Sequence, residues 1–251
     1  MTATGPVIEL TQLTRNFGAR SVLKQVSLRV PAGCLYGLIG PGAAGKTLIL
    51  KAICGLLRPS SGRVLVDGRD LYALSSDQLE VYRRGVGMQF QNNALFDFLT
   101  VQDNIAFPLR RLFQLSETEI SSRVAERLAR VALSGFEARM PAGLSGGQKK
   151  RIGIARATIT RPPILLYDEP AAGLDPVTSL RIFQLLREEQ RAASSTVLMV
   201  SSDIDRLLTV TDRVGVLHAG RLVFDGSTEE ARASADPLVR QFLRGLTDGP
   251  L

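Results

Sequence analysis

Residues 40–47 read "GPGAAGKT", and the fold follows from what that octet needs on either side of it. Gly40, Gly45, Lys46 and Thr47 satisfy G-x-x-x-x-G-K-[ST], a spacing that lets main-chain N–H groups turn toward an anion without side-chain obstruction. The run before it, "CLYGLIG", is short, apolar and bounded by glycine, as expected for a strand buried on both faces. The run after it, "LILKAICGLL", continues as a helix ended by Gly55 and Pro59, and a helix N-terminus adds a favourable dipole for negative charge. In this strand–loop–helix, Lys46 would neutralise outer phosphates and Thr47 would offer its hydroxyl to Mg²⁺.

A second stretch supplies the acids. "ILLYDEP" is a buried strand with Asp168 at its carboxyl end, the edge where ligands of open α/β sheets gather. Asp168 would hold Mg²⁺ through water, and the adjacent Glu169 could polarise an attacking water. A third stretch, "LSGGQKKRIGIARA", opens a helix with Ser145 as N-cap and Gly146 and Gly147 behind it. Lys149, Lys150 and Arg151 in its first turns oppose the helix dipole, which points to an anion docking there. The chain thus carries two phosphate-binding helix termini.

Around these motifs the texture is α/β. "VIELTQLTRNF" and "VLKQVSLRV" alternate like strands, and "GRVLVDGRDL" is a strand closing on an Asp-Gly turn. From Leu74 to Gly143 few strand signals appear, and Ile120, Val124, Leu128 and Val131 recur at helical spacing. "PILLYDEP" and "TVLMVSSD" are further buried strands separated by the helix "TSLRIFQLLREEQRAA", and "RVGVLHAGRLVFDG" is a terminal hairpin. Strands alternating with helices predict a mostly parallel sheet.

At 251 residues and 45% apolar the chain has material for a substantial core, and no stretch reaches the roughly 18–20 apolar residues of a membrane span. "MTATGPVIEL" lacks a secretory pattern, so a cytoplasmic chain is expected. Cys34 and Cys54 read as small core residues, and His218 sits in a hairpin turn without chemistry. The net charge of +7 is spread in short clusters, which by itself selects no partner.

Together "GPGAAGKT", "FQ" at 90–91, "LSGGQ", "YDEP" and "GLDP" resemble the nucleotide-binding subunit of ABC transporters over nearly the full length. The resemblance implies a P-loop NTPase core with a mostly parallel sheet, an N-terminal antiparallel β region and an inserted α-helical subdomain. The division it implies is core at 1–73 and 144–226, helical subdomain at 74–143 and tail at 227–251. It implies that ATP is bound by Phe17 stacking on adenine, by the loop residues Gly40, Pro41, Gly42, Ala43, Ala44, Gly45, Lys46, Thr47 and Leu48, and by Ser145, Gly146, Gly147, Gln148 and Asp175 across a dimer. Gln91 would sense Mg²⁺ and the attacking water and relay the state to a membrane partner. Two chains would pair head to tail with ATP between them.

Three further stretches, "FQNNALFDFLTVQDNIAFPLR", "DEPAAGLDPVTS" and "DPLVRQFLRGLTDGP", are similar to the ATPase of the Mla (MCE-type) phospholipid transport systems. That likeness implies a peripheral subunit on the cytoplasmic face of the inner membrane. Its implied partners are an integral permease, an MCE lipid-binding protein and, in some systems, a small regulatory subunit, with the tail in the dimer contact and no nucleic acid.

Three positions depart from the family pattern. Ala43 stands where a glycine is usual, with Gly42 just before it, as if the flexible residue had moved by one. An alanine at positive φ costs about 1–2 kcal/mol, too little to abolish phosphate binding. Leu48 replaces a second hydroxyl. Ser202, in Ser201-Ser202-Asp203, replaces a histidine expected at the γ-phosphate, so slower hydrolysis is expected. Three alternatives stay open: a module that binds ATP and scarcely turns over, the ATPase of a different transporter, and a DNA-repair or translation ATPase. "NNALFDFLT" brings Leu95, Phe96 and Phe98 close to Gln91, either packed within the insert or offered to a partner.

Overall fold

Alternating apolar and polar residues carry β1 (Ile8–Phe17) and β2 (Arg20–Val30) into an antiparallel pair whose inward side chains are almost wholly buried. The computed structural model describes residues 5–250; residues 1–4, part of the stretch read for a secretory pattern, and Leu251 of the tail lie outside the described residues. β4 (Ser61–Val66) and β5 (Arg69–Asp70) complete an antiparallel sheet of order β2-β1-β4-β5, in which Asp67 and Gly68 form the expected two-residue turn with φ of 47° and 75°.

The second sheet comprises β3 (Leu35–Ile39), β6 (Val86–Gln89), β7 (Ile164–Asp168), β8 (Thr196–Val200), β9 (Arg213–His218) and β10 (Arg221–Ser227). Its order is β10-β9-β3-β8-β7-β6, parallel throughout except for the β9–β10 hairpin. Every residue of β3, β7 and β8 is buried, which is why these segments read as unbroken apolar runs. Helices α1 (Lys46–Ile53), α2 (Ser76–Arg84), α3 (Val101–Leu112), α4 (Glu117–Arg130), α5 (Gly146–Thr158), α6 (Pro176–Ala193), α7 (Ile204–Val210), α8 (Thr228–Ala233) and α9 (Pro237–Arg244) complete the fold. Among the described residues, no helix is long and apolar enough to cross a membrane.

The helical stretch does not begin at Leu74, as the sequence suggests. β6 falls inside it and extends the parallel sheet beside β7. α2 is tied to the same body, because the Tyr82 hydroxyl donates to the Ile53 carbonyl at 2.7 Å and Arg83 donates to the Gly55 carbonyl at 2.6 Å. Four residues, "VGMQ", give too short an alternation to register as a strand; pairing with β7 makes it one. The helices beyond β6 share an apolar cluster in which Ile105 and Leu109 of α3 and Val124 and Leu128 of α4 meet Ile152 and Ala155 of α5.

α9 lays Val239 onto the face formed by α6 and the central strands, with Leu238, Phe242 and Leu243 packed beside it. The tail's apolar stripe is therefore largely spent within its own chain.

One polar contact fastens the helical layer to the core. Glu189 of α6 is buried and receives Arg127 in a short ion pair, while Arg130 Nε donates to its other oxygen at 2.6 Å. Removing one member of a buried pair leaves the other charge without compensation, at about 3–5 kcal/mol. Glu189→Ala is expected to lower unfolding stability by that amount in urea titration, and a change under 1 kcal/mol would contradict it.

Candidate functional site

The turn between β3 and α1 is fixed from behind. Gly40 has φ 150°, and a Cβ there would stand 2.0 Å from the Leu217 carbonyl oxygen; Gly45 has φ 104°, and a Cβ would meet Leu23 at 2.5 Å. These glycines answer to the chain itself. At Gly42 a Cβ would meet nothing within 4 Å, so its small size leaves open space on the outer side. Among the described residues no acceptor receives the N–H groups of Gly42, Ala43, Gly45, Lys46 and Thr47. A helix start of this kind, with bare donors and no side-chain cap, is built for an anion.

The left-handed residue is Ala43, with φ 58°, and Gly42 is not among the positive-φ glycines. The flexible position has not moved by one, contrary to the sequence expectation. Loop geometry dictates which residue turns, and here alanine carries the strain.

Gly42 to Leu48 line a cleft of about 420 Å³, together with Gln91, Asp168 and Glu169 and with Arg20 and Val22 of β2. Thr47 Oγ1 donates to Asp168 Oδ1 at 3.1 Å, placing the predicted hydroxyl and carboxylate side by side. Asp168 is 3% exposed, and burial pushes its carboxyl above the usual range, opposed by the Thr47 hydrogen bond and reinforced by Glu169. A raised carboxylate pKa means this group contributes stability at low pH that is lost as pH rises through the raised value. An added cation would relieve that cost. Among the described residues no group of three or more acidic, histidine or cysteine side chains is placed to hold a metal ion. The donor set of one hydroxyl and one carboxylate suits Mg²⁺ only when phosphate and water supply the rest.

Lys46 Nζ donates to the carbonyls of Gly40 at 2.6 Å and Pro41 at 2.8 Å. Burial pushes its pKa down, partly offset by Glu169 and Asp168. Glu169 sits at φ 49° and accepts both the N–H and the hydroxyl of Ser202 on Oε2, each at 3.0 Å. The serine that replaces histidine therefore holds the candidate base directly. Leu48 is half-buried against the apolar core below the loop.

Other expected residues lie elsewhere. Phe17 is 48% exposed, does not line the cleft, and has the Arg15 guanidinium 4.6 Å above its ring. Arg20 and Val22, which the sequence did not single out, line the cleft instead; no motif marks them, and β2 comes there by packing on the loop, where a Cβ at Gly45 would meet Leu23 and Val22. Ser145 caps α5, and the Gln148 side chain closes the capping box by accepting from the Ser145 N–H at 2.9 Å. Neither lines the cleft. A Cβ at Gly146 would meet nothing within 4 Å, and one at Gly147 would make only ordinary contacts. Asp175 caps α6, accepting from Val177 and Thr178, and the Thr178 hydrogen bond leads the causes that hold its carboxyl low.

The basic residues after the glycines are not all free for an anion. Lys150 is buried and donates to the carbonyls of Gln91 at 2.7 Å and Glu169 at 3.0 Å, while Arg151 donates to those of Val131 and Ala132. Main-chain acceptors leave no sequence trace, so this use was invisible beforehand. Leu95 packs into the helical cluster, Phe96 is half-buried 4.9 Å from Phe107, and Phe98 is 78% exposed.

A protein-family profile described as "ABC transporter" matches residues 23–172. The chain is 41% identical over 247 residues to the probable ribonucleotide transport ATP-binding protein mkl of Mycobacterium tuberculosis, covering 98% of this chain and 69% of that one. It is 36% identical over 245 residues to the intermembrane phospholipid transport system ATP-binding protein MlaF of Escherichia coli K12, covering 98% and 91%. Among solved structures, the cassette MJ0796 in a dimeric post-hydrolysis state bound to ADP and Pi aligns with TM-score 0.82 and 31% identity, over 88% of this chain and 98% of that one.

Ala43→Gly removes the left-handed alanine. Relief of about 1–2 kcal/mol is offset by about 0.4–1 kcal/mol of added unfolded-state freedom. Thermal unfolding of the ligand-free protein should rise or hold, and a fall of several degrees would show that Ala43 is not strained.

Proposed function

The chain belongs to the ABC transporter family as an ATP-binding subunit with ATPase activity, and from that premise we propose that it powers phospholipid movement by an MCE-type inner-membrane complex. The observation that carries the site assignment is the Thr47–Asp168 pair lying in a cleft whose loop has unclaimed N–H groups. Phosphate oxygens would compete with the Gly40 and Pro41 carbonyls for Lys46 and take up the loop amides. Thr47 and Asp168 would hold Mg²⁺, with Gln91 at the same cleft; the ion would neutralise phosphate charge. Glu169 would orient and deprotonate water.

The second anion site requires a second chain. The N-terminus of α5 carries glycines that packing does not demand, and none of its residues 145–148 lines the cleft of its own chain. A head-to-tail homodimer would bring Ser145, Gly146 and Gly147 of one chain to the nucleotide of the other. Asp175, already a helix cap, would lie near that contact, and Phe17 would reach adenine only if Arg15 yields its ring. The helical segment would then move relative to the core.

For the membrane partner, a groove of about 440 Å³ beside Met88, Phe90, Phe96, Phe107 and Arg156 would accept an apolar permease segment, with Phe98 at its approach. An MCE lipid-binding protein and a small regulatory subunit would complete the assembly. We place the chain peripherally on the cytoplasmic face, following its likeness to MlaF. A second reading, transport of ribonucleotides, is favoured by the name of the mycobacterial relative at 41% identity.

Glu169→Gln in the full-length protein should lower ATPase activity at least about 100-fold while stabilising a dimer with Mg-ATP in light scattering. Equal background rates in both proteins, or a monomer throughout, would overturn the reading. Ser202→His should raise turnover on the order of tenfold, about 1.4 kcal/mol of transition-state interaction. An unchanged or lower rate would show that the serine is no handicap.

A further inference from the structure

Lys150 is a buried cation with no carboxylate within ion-pair distance among the described residues. Such burial is costly and would be replaced by an apolar side chain if packing alone mattered. Its ammonium bridges two main-chain carbonyls, Gln91 at 2.7 Å and Glu169 at 3.0 Å, from segments far apart in sequence. The Glu169 carbonyl also accepts from the Ala172 N–H at 3.3 Å, so the left-handed turn at the base is held from two sides.

The same face of α5 continues the attachment. One turn on, a Cβ at Gly153 would stand 3.5 Å from Gln89 and Asn93, an ordinary van der Waals distance that shows this face of the helix lying directly against the loop. At the next turn Arg156 donates to the carbonyls of Asn93 at 2.7 Å and Ala94 at 2.8 Å, two consecutive left-handed residues. Lys150, Gly153 and Arg156 recur at i, i+3 and i+6, a single stripe. Lys150 itself lies about 6 Å along the axis from Gly146, at about 1.5 Å per residue. The helix capped by Ser145 thus holds the main chain of Gln91, Asn93, Ala94 and Glu169 through two side chains.

We infer that Lys150 is a positioning residue that couples the two nucleotide sites of a dimer, because the helix end gripping the partner's nucleotide holds, through this one side chain, the base and the sensing glutamine of its own site. The inference rests on the proposed ATP sandwich. Occupancy at one site would then set the geometry of the other, and hydrolysis would be cooperative in ATP.

The test compares wild type, Lys150→Met and Lys150→Arg as full-length proteins, reading kcat, KM for Mg-ATP, the Hill coefficient and Mg-ATP-driven dimerisation. The expected result for Lys150→Met is a kcat loss of tenfold or more, KM within threefold, a Hill coefficient falling to one and dimerisation retained. Lys150→Arg, which can still bridge two carbonyls, should recover most of the rate. If Lys150→Met does not fold, Lys150→Leu is read by the same criteria, since its side chain carries no donor for either carbonyl. A wild-type kcat and Hill coefficient in the Met or Leu variant would overturn the coupling while leaving the sandwich intact. A loss that Arg does not recover, or one expressed in KM alone, would equally overturn it. A wild type that neither dimerises nor hydrolyses would bring down both readings, and that outcome is distinguished by the wild-type arm alone.

Discussion

Main-chain donors without acceptors are the constraint on which the rest depends. The strand β3 ends on Gly40, where a carbonyl of the neighbouring hairpin leaves no room for a Cβ, and α1 begins on Gly45, pressed against Leu23. Between them the chain has no side chain able to cap the helix, and the N–H groups of Gly42 and Ala43, like those of Gly45, Lys46 and Thr47, have no acceptor among the described residues. Folding alone does not reward that arrangement, since unpaired donors cost free energy when desolvated and gain nothing from packing. It is stable because the loop lies at the surface and because an anion can take the place of water. Every acidic and basic group around the cleft is arranged about that loop.

Two acids sit at the end of β7 with opposite treatments. Asp168 is buried, desolvated and bonded to Thr47; Glu169 is in a left-handed turn and held by Ser202. The neighbouring cations, Lys46 and Lys150, are each bonded to carbonyl oxygens rather than to these acids. Their positive charge is therefore delivered to the site without being consumed by an ion pair. Burial lowers the pKa of both lysines, and the two carboxylates partly restore it. A cluster so balanced responds to added phosphate and metal charge more than a set of closed salt bridges would.

The helical layer is joined to the core through α5 and through the Arg127–Glu189–Arg130 contact, with apolar packing from α3 and α4 on the outer side of α5. α5 is common to both, packing with α3 and α4 and bonding to the Glu169 carbonyl through Lys150. β6 belongs to the core by its pairing with β7, so the loop carrying Gln91 begins where the sheet ends and the helices begin. Gln91 lines the cleft, and its near neighbours Phe90, Ala94 and Phe96 line the apolar groove.

By itself, the sequence determined the strand–loop–helix at 34–57, the acids after β7, the capped start of α5, the two hairpin turns and the parallel sheet. Each depends on local chemistry: glycine placement, caps and the period of apolar residues. Those signals name Thr47 and Asp168 as neighbours although 121 positions separate them, because Thr47 opens the helix that follows β3 and Asp168 ends β7, at the same edge of a parallel sheet. Only the tertiary structure decided that β6 belongs to the sheet, that Phe17 stands outside the cleft while Arg20 and Val22 line it, that Ala43 turns left-handed, and that Lys150 serves two carbonyls rather than an anion. Register, close approach and main-chain acceptors made those choices. None of the three is written in side-chain identity, because a carbonyl oxygen is the same at every residue, and only packing selects which one a buried donor meets.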